Sequence, residues 1–211
     1  MLMRRAFRVK LCIVGTLAVL IASTVTSSAA PYWDNIVPTL NYDLPCVDST
    51  QSDPNYLCQT DNTTLVYYQV GSVSVGMRDA VHATMNGSYT TTDLNASETS
   101  TPAWSGSAET DIVYWQDSTL PSAYIGLTWC DSAVSGSLYR CDQQYVKFRT
   151  GYSDRSLACH ETGHAVGLTH GDIAYPSTSK TNPELACMIT PNNPANQFLG
   201  GNNVISINSV Y

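Results

Sequence analysis

The sequence predicts an α/β domain built on a mixed sheet, and three observations lead there. A β-rich run is followed by an amphipathic helical run, then by several β-rich runs and a second helix. That order places helices against a sheet rather than forming an all-β sandwich. Without an N-terminal leader of 30 residues, about 180 of the 211 residues remain, enough for one domain with a full hydrophobic core. That remainder carries an even number of cysteines, as expected of a disulfide-bonded, exported protein.

The leader comes first. Arg4, Arg5, Arg8 and Lys10 make a basic start, Leu11 to Ala22 are apolar, and STVTSSAA offers a signal-peptidase site after Ala29 or Ala30. The apolar stretch is too short to cross a bilayer comfortably, which speaks against an anchor helix. Residues 1–30 are read as a signal peptide, and the mature protein as secreted, extracellular and without a membrane segment. The RRAF stretch also resembles a twin-arginine export signal, although paired arginines occur in the basic part of any export signal.

Residues 31–63 are rich in Pro, Asn, Asp, Ser and Thr and read as an irregular N-terminal segment. The domain proper is expected over residues 64–211. Thr64 to Gly71 is a β-rich run. Val73, Met77, Ala80, Val81, Thr84 and Met85 then fall at helical spacing, and Gly87 stops the helix. His82 on this helix has no second histidine three or four residues away, so a partly buried structural histidine is expected. Tyr89 to Ser107 is polar and loop-like, opening with a short strand. Thr110 to Asp117 and Ala123 to Asp131 read as strands. Arg140 to Gly151 alternates, with Val146 and Phe148 on one face and Tyr145, Lys147 and Arg149 on the other. Asn62, Asn86 and Asn95 each start an N-x-[ST] sequon, which matters only in a host that glycosylates.

Charge narrows the function. Four of the ten Lys and Arg residues lie in the leader while all seventeen acidic residues follow it, leaving a net charge near −11. Nucleic-acid binding is therefore not expected, because phosphates demand a basic patch. Cys12 lies in the leader; Cys46, Cys58, Cys130, Cys141, Cys159 and Cys187 remain. The count alone leaves many pairings open. Nearest neighbours are the working expectation: Cys46 with Cys58, Cys130 with Cys141, Cys159 with Cys187. No C-x2-C pair is present, so a cysteine zinc site is set aside.

The chemistry gathers in ACHETGHAVGLTHGD, residues 158–172. Ser153 or Asp154 can cap a helix whose apolar positions are Leu157, Ala158, Ala165 and Val166. On it His160 and His164 leave the same face one turn apart, a placement that suits zinc. Glu161, rotated off that line, can reach a water at the metal without displacing it. Gly167 can adopt the left-handed conformation that ends a helix and turns the chain. That turn would return His170 as a third ligand; a continuing helix would carry it more than a turn past His164. Three protein ligands with an open fourth position are the catalytic arrangement, whereas structural zinc usually fills all four.

His160-Glu-Thr-Gly-His164-Ala-Val-Gly167-Leu-Thr-His170 resembles the extended zinc motif of the metzincin metalloproteases. Met188, eighteen residues after His170, lies where that family carries its methionine turn. Val204, Ile207 and Val210 resemble the spacing of the final helix of matrixin catalytic domains. The resemblance covers roughly Thr64 to Tyr211. It implies a mostly parallel twisted sheet with a backing helix, a zinc-binding active-site helix, a small irregular C-terminal subdomain with the methionine turn, and a final helix. Snapalysin-type enzymes are also similar, but carry aspartate where this chain has His170. Thr190 stands where some metzincins have a tyrosine ligand, and no cysteine-switch peptide is evident.

The resemblance implies a zinc endopeptidase. His160, His164 and His170 would hold one Zn2+, Glu161 would serve as general base and acid, and Gly167 and Met188 would be structural. An exposed strand within Ala123 to Cys130 would pair with substrate backbone. Asp172 is read either as orienting a ligand imidazole or as capping a loop. No sequence feature supports a calcium ion. A protein or peptide substrate and a monomer are expected. The competing reading is a secreted zinc-binding structural or adhesion domain, which has no need of Glu161. A third keeps the hydrolysis but takes small amides or terminal dipeptides.

Overall fold

A computed structural model of the chain describes residues 32–53, 57–106 and 108–211; the signal peptide expected over residues 1–30 lies outside these. In chain order the strands and helices are β1 (Gln59–Thr60), β2 (Thr64–Gln69), α1 (Val75–Met85), β3 (Asn95–Glu98), β4 (Ile112–Asp117), β5 (Gly126–Ala133), β6 (Arg140–Arg149), α2 (Arg155–Ala165) and α3 (Gly201–Asn208). Turns of 3-10 helix occupy Tyr89–Thr91 and Pro183–Met188.

The strands form one mixed, mostly parallel sheet in the order β1-β6-β4-β2-β3, with β5 also on β6. β2 pairs in parallel with β3 and β4, and β4 with β6, which also takes β1. Only β5 runs antiparallel, opposing Trp129 to Tyr145. Ile112, Val113 and Tyr114 of β4 are fully buried, as expected of an interior strand in a parallel sheet. Val146 and Phe148 of β6 are buried, while Tyr145, Lys147 and Arg149 are only partly so, in keeping with the alternation in sequence.

The helices form where the apolar spacing places them. Ser74 caps α1 by accepting from the Met77 N–H, and Met77, Ala80, Val81, Thr84 and Met85 are its buried residues. Each fully buried Val or Met side chain of this kind contributes about 1.5–3 kcal/mol. α2 packs beside α1 and against β5 and β6. Nine of its eleven residues are buried, so its polar members are enclosed together with its apolar ones. Among the described residues no helix is long and apolar enough to cross a membrane.

Three disulfides join Cys46 to Cys58, Cys130 to Cys141, and Cys159 to Cys187. The second closes the β5–β6 hairpin and the third ties α2 to the turn ending at Met188. Residues 32–211 form one compact unit, in which the irregular N-terminal stretch pairs Asp34 with Tyr175 and Ile36 with Leu168.

Two local expectations change. Tyr89–Thr91 is a 3-10 turn, and the strand of this region comes later, at Asn95–Glu98. Its sequence NASE has no apolar alternation, because it is an exposed edge strand held by main-chain pairing to β2 alone. His82 is partly buried, as expected, with Nε2 3.2 Å from Glu98 and Nδ1 3.2 Å from the Tyr67 hydroxyl. Of the apolar residues assigned to the α3 face, only Ile207 is fully buried; Asn202, Asn203 and Ser206 are buried with it.

Candidate metal centre

α2 begins at Asp154, whose carboxylate accepts from the Leu157 N–H at 2.9 Å, satisfying a donor that the helix itself cannot pair. The helix carries His160 and His164 one turn apart and ends with Val166 as its C-cap. Gly167 then has φ +94°, the left-handed region that glycine enters without steric cost. A Cβ there would also crowd Gln59 and Val37, at 3.0 and 3.2 Å. The reversal turns the chain back and brings His170 to the other two histidines.

Hydrogen bonds orient two of the rings. His160 donates from Nδ1 to the Cys187 carbonyl at 2.7 Å, and His164 from Nδ1 to the Leu168 carbonyl at 2.8 Å. Nε2 of each ring therefore keeps its lone pair. The three Nε2 atoms lie 3.2, 3.1 and 3.1 Å apart. Zn–N bonds of 2.0–2.1 Å in a tetrahedron require nitrogens roughly 3.3 Å apart. The group thus fits a small metal ion, and its donor atoms converge closely enough to hold one.

Burial favours the neutral imidazoles that a metal needs. It lowers the pKa of His160, and it lowers His164 further, with His160 and His170 as neighbours. His170 is brought down to about 4, chiefly by burial.

Glu161 lies beside these histidines and is 5% exposed. Its position depends on β5. Thr128 Oγ1 lies 2.9 Å from Glu161 Oε2 and 2.9 Å from its carbonyl oxygen. A Cβ at Gly126 would stand 2.4 Å from Glu161 Oε1, so the carboxylate lies where any other residue would put its side chain. Burial pushes the Glu161 carboxyl up to about 7, against the lowering effect of the Thr128 hydroxyl. On the opposite side of α2, a Cβ at Gly163 would come within 2.3 Å of Met188 Sδ. Met188 is fully buried and packs directly on the helix between the two histidines.

The histidines and Glu161 line a cleft of about 540 Å³ that is also bounded by residues 123–128 and 190–192. β5 has an open edge there. The Ile125 carbonyl accepts from Arg149 on β6, while the Cys130 carbonyl accepts from Ser49 on the other side. Alternation along the strand leaves the main-chain N–H and C=O of Gly126 and Thr128 on the edge away from β6.

Other expectations fall as follows. Asp172 pairs with Lys180 at 3.0 Å, and among the described residues no hydrogen bond joins it to a ligand imidazole. Thr190 lines the cleft. The sulfurs of Cys46, Cys58 and Cys130 also lie close together, but all are in disulfides and none is a thiolate ligand. Gly126, Thr128 and Gly163, with the Cys187 and Leu168 carbonyls, join the site without having been singled out in the sequence. A glycine inside a β-rich run is a sign of close approach, and Gly126 carried it.

No family profile matches the chain, and no curated protein is similar to it. Among solved structures, metalloproteinase-II from Bacteroides fragilis is similar over 78% of this chain and 56% of its own, with 16% identity and a TM-score of 0.40. This chain therefore spans little more than half the length of that one.

Proposed function

We propose that the protein is a secreted zinc-dependent endopeptidase. His160, His164 and His170 hold one zinc ion, and Glu161 carries the proton during peptide-bond hydrolysis. The observation that carries this reading is the convergence of three Nε2 atoms to within 3.2 Å beside a buried carboxylate in an open cleft.

Zinc bound there supplies Lewis acidity toward a carbonyl oxygen and makes water a competent nucleophile near neutral pH. Glu161 takes the proton of the attacking water at Oε1, the oxygen that Thr128 does not hold, and returns it to the leaving nitrogen. Burial of the Glu161 carboxyl raises its proton affinity, which helps it hold the proton between the two transfers. Gly126 and Thr128 bind an extended substrate through their main-chain groups, as an added strand. That mode suits an unfolded segment of a longer chain better than a dipeptide, which would use little of the edge. Gly167 returns His170 to the metal, and Met188 supports the helix from below. Three disulfides favour an oxidising, extracellular setting.

Mass spectrometry of an unfolded protein after digestion tests the reading. Internal cuts that disappear with a chelator and return with zinc are expected. Release of terminal dipeptides alone, or cutting indifferent to chelation, would contradict it.

A further inference from the structure

Two of the three histidines are oriented by carbonyl acceptors, and the third is not. Among the described residues no hydrogen bond engages Nδ1 of His170. Its ring is placed by the loop that carries it, residues 167–175. That loop is held to an unusual degree by one other part of the chain. Asp34 and Tyr175 exchange both main-chain hydrogen bonds at 2.7 Å, Val37 N–H donates to Gly167 at 2.9 Å, and Thr169 N–H donates to Asn35 at 2.7 Å. The Thr39 hydroxyl donates to the Ile173 carbonyl at 2.7 Å, and the Asn41 amide donates to that of Ala174 at 2.5 Å. Residues 34–41 thus bind the loop on both sides of His170.

This strap is fixed in turn by α3. Asn35 is fully buried, and its amide is completely engaged. Nδ2 donates to Asn203 Oδ1 at 3.0 Å and to the Thr169 carbonyl at 3.4 Å. Oδ1 accepts from Asn202 at 3.0 Å and from Ser206 at 2.8 Å. Asn202 also holds the main chain of Trp33 through both its N–H and its carbonyl. A network satisfied at every atom holds one geometry, and a half-satisfied one does not. This accounts for the polar residues that α3 buries.

We infer that Asn35 is a positioning residue of the metal centre, acting on His170 through the loop at residues 167–175. The N-terminal strap is then part of the zinc site, and its release from α3 lowers metal affinity by loosening the third ligand. The inference rests on the proposed three-histidine zinc site.

The test is zinc affinity of the full chain by chelator competition. Asn35→Ala should bind zinc about 10–100-fold more weakly, the range seen when a group supporting a metal ligand is lost. Met85→Ala, a core change on α1, should lower the melting temperature yet keep wild-type affinity. In a His170→Ala background, Asn35→Ala should have no further effect on affinity, because groups acting through one another are not additive. Ser206→Ala, which deletes one of the two bonds to Asn35 Oδ1, should show a smaller loss and serves if Asn35→Ala does not fold. Wild-type affinity in Asn35→Ala, or an undiminished effect of Asn35→Ala without His170, would overturn the inference alone. A wild-type chain that binds no zinc would overturn the proposed function and this inference together.

Discussion

Replacing Gly126 by alanine adds a single carbon to an extended strand, and Glu161 occupies the place it would take. The new Cβ would lie 2.4 Å from Oε1, 2.6 Å from Cγ and 2.7 Å from Cδ of Glu161. Carbon atoms in ordinary contact are about 3.5–4.0 Å apart, so the side chain must retreat by about 1 Å. It has little room, since it is buried and tied to Thr128. A misplacement of about 1 Å in a catalytic group costs on the order of 100-fold in rate, or roughly 2.7 kcal/mol of barrier. The histidines are not touched, so bound zinc should be unchanged. The stability cost should fall within the ~1–3 kcal/mol usual for an overpacked site. Steady-state kinetics on a peptide, with metal content and a melting curve, give the answer. A wild-type kcat would refute the reasoning, as would a loss confined to KM or an accompanying loss of zinc.

Three further outcomes follow from other parts of the molecule. Burial, with Asp61 alongside, pushes the Asp111 carboxyl up to about 7. The folded state then keeps a proton that the unfolded chain releases near pH 4, so this group's contribution falls as pH rises from about 4 to 7 and is level above that. Asp111→Asn should flatten that fall in melting temperature, and an unchanged pH profile would contradict the assignment. Replacing both Cys159 and Cys187 by alanine opens a bridge between residues 28 apart, a loss of about 3–4 kcal/mol on the chain-entropy account. The Cys187 carbonyl orients His160, so zinc affinity should fall with stability in a denaturation and metal-binding series. Thr128→Val should lower kcat by about tenfold, the loss of one hydrogen bond to a charged group, and Thr128→Ser should restore it.

The parts of the fold that were legible in the sequence are those where one local rule operates alone. The α1 stripe from Met77 to Met85 is a helical spacing, the β6 pattern around Val146 and Phe148 is an alternation, and both match the burial. Nearest-neighbour cysteine pairing agrees with the three disulfides, whose partners are only 12, 11 and 28 residues apart. The left-handed Gly167 could be anticipated because His170 could meet the other two histidines only through a reversal. What escaped depends on partners distant in sequence. β3 is an edge strand of polar residues defined by its neighbour. Gly126 and Thr128 acquire their roles only when β5 lies against α2, 33 residues on from Thr128. Asn35 reads as loop composition until α3, 168 residues away, supplies Asn203. Asp172 next to the motif read equally as a partner for an imidazole and as a loop cap, and its carboxylate pairs with Lys180 on the following segment.

Glu161→Ala tests the central claim most directly, with bound zinc and cleavage of an unfolded protein measured on the same preparation. The three histidines are independent of the carboxylate, so zinc should remain bound at the wild-type stoichiometry. Hydrolysis should fall by about 10²–10⁴-fold, the usual contribution of a positioned acid–base group. Equal activity in the variant and the wild type would contradict the mechanism.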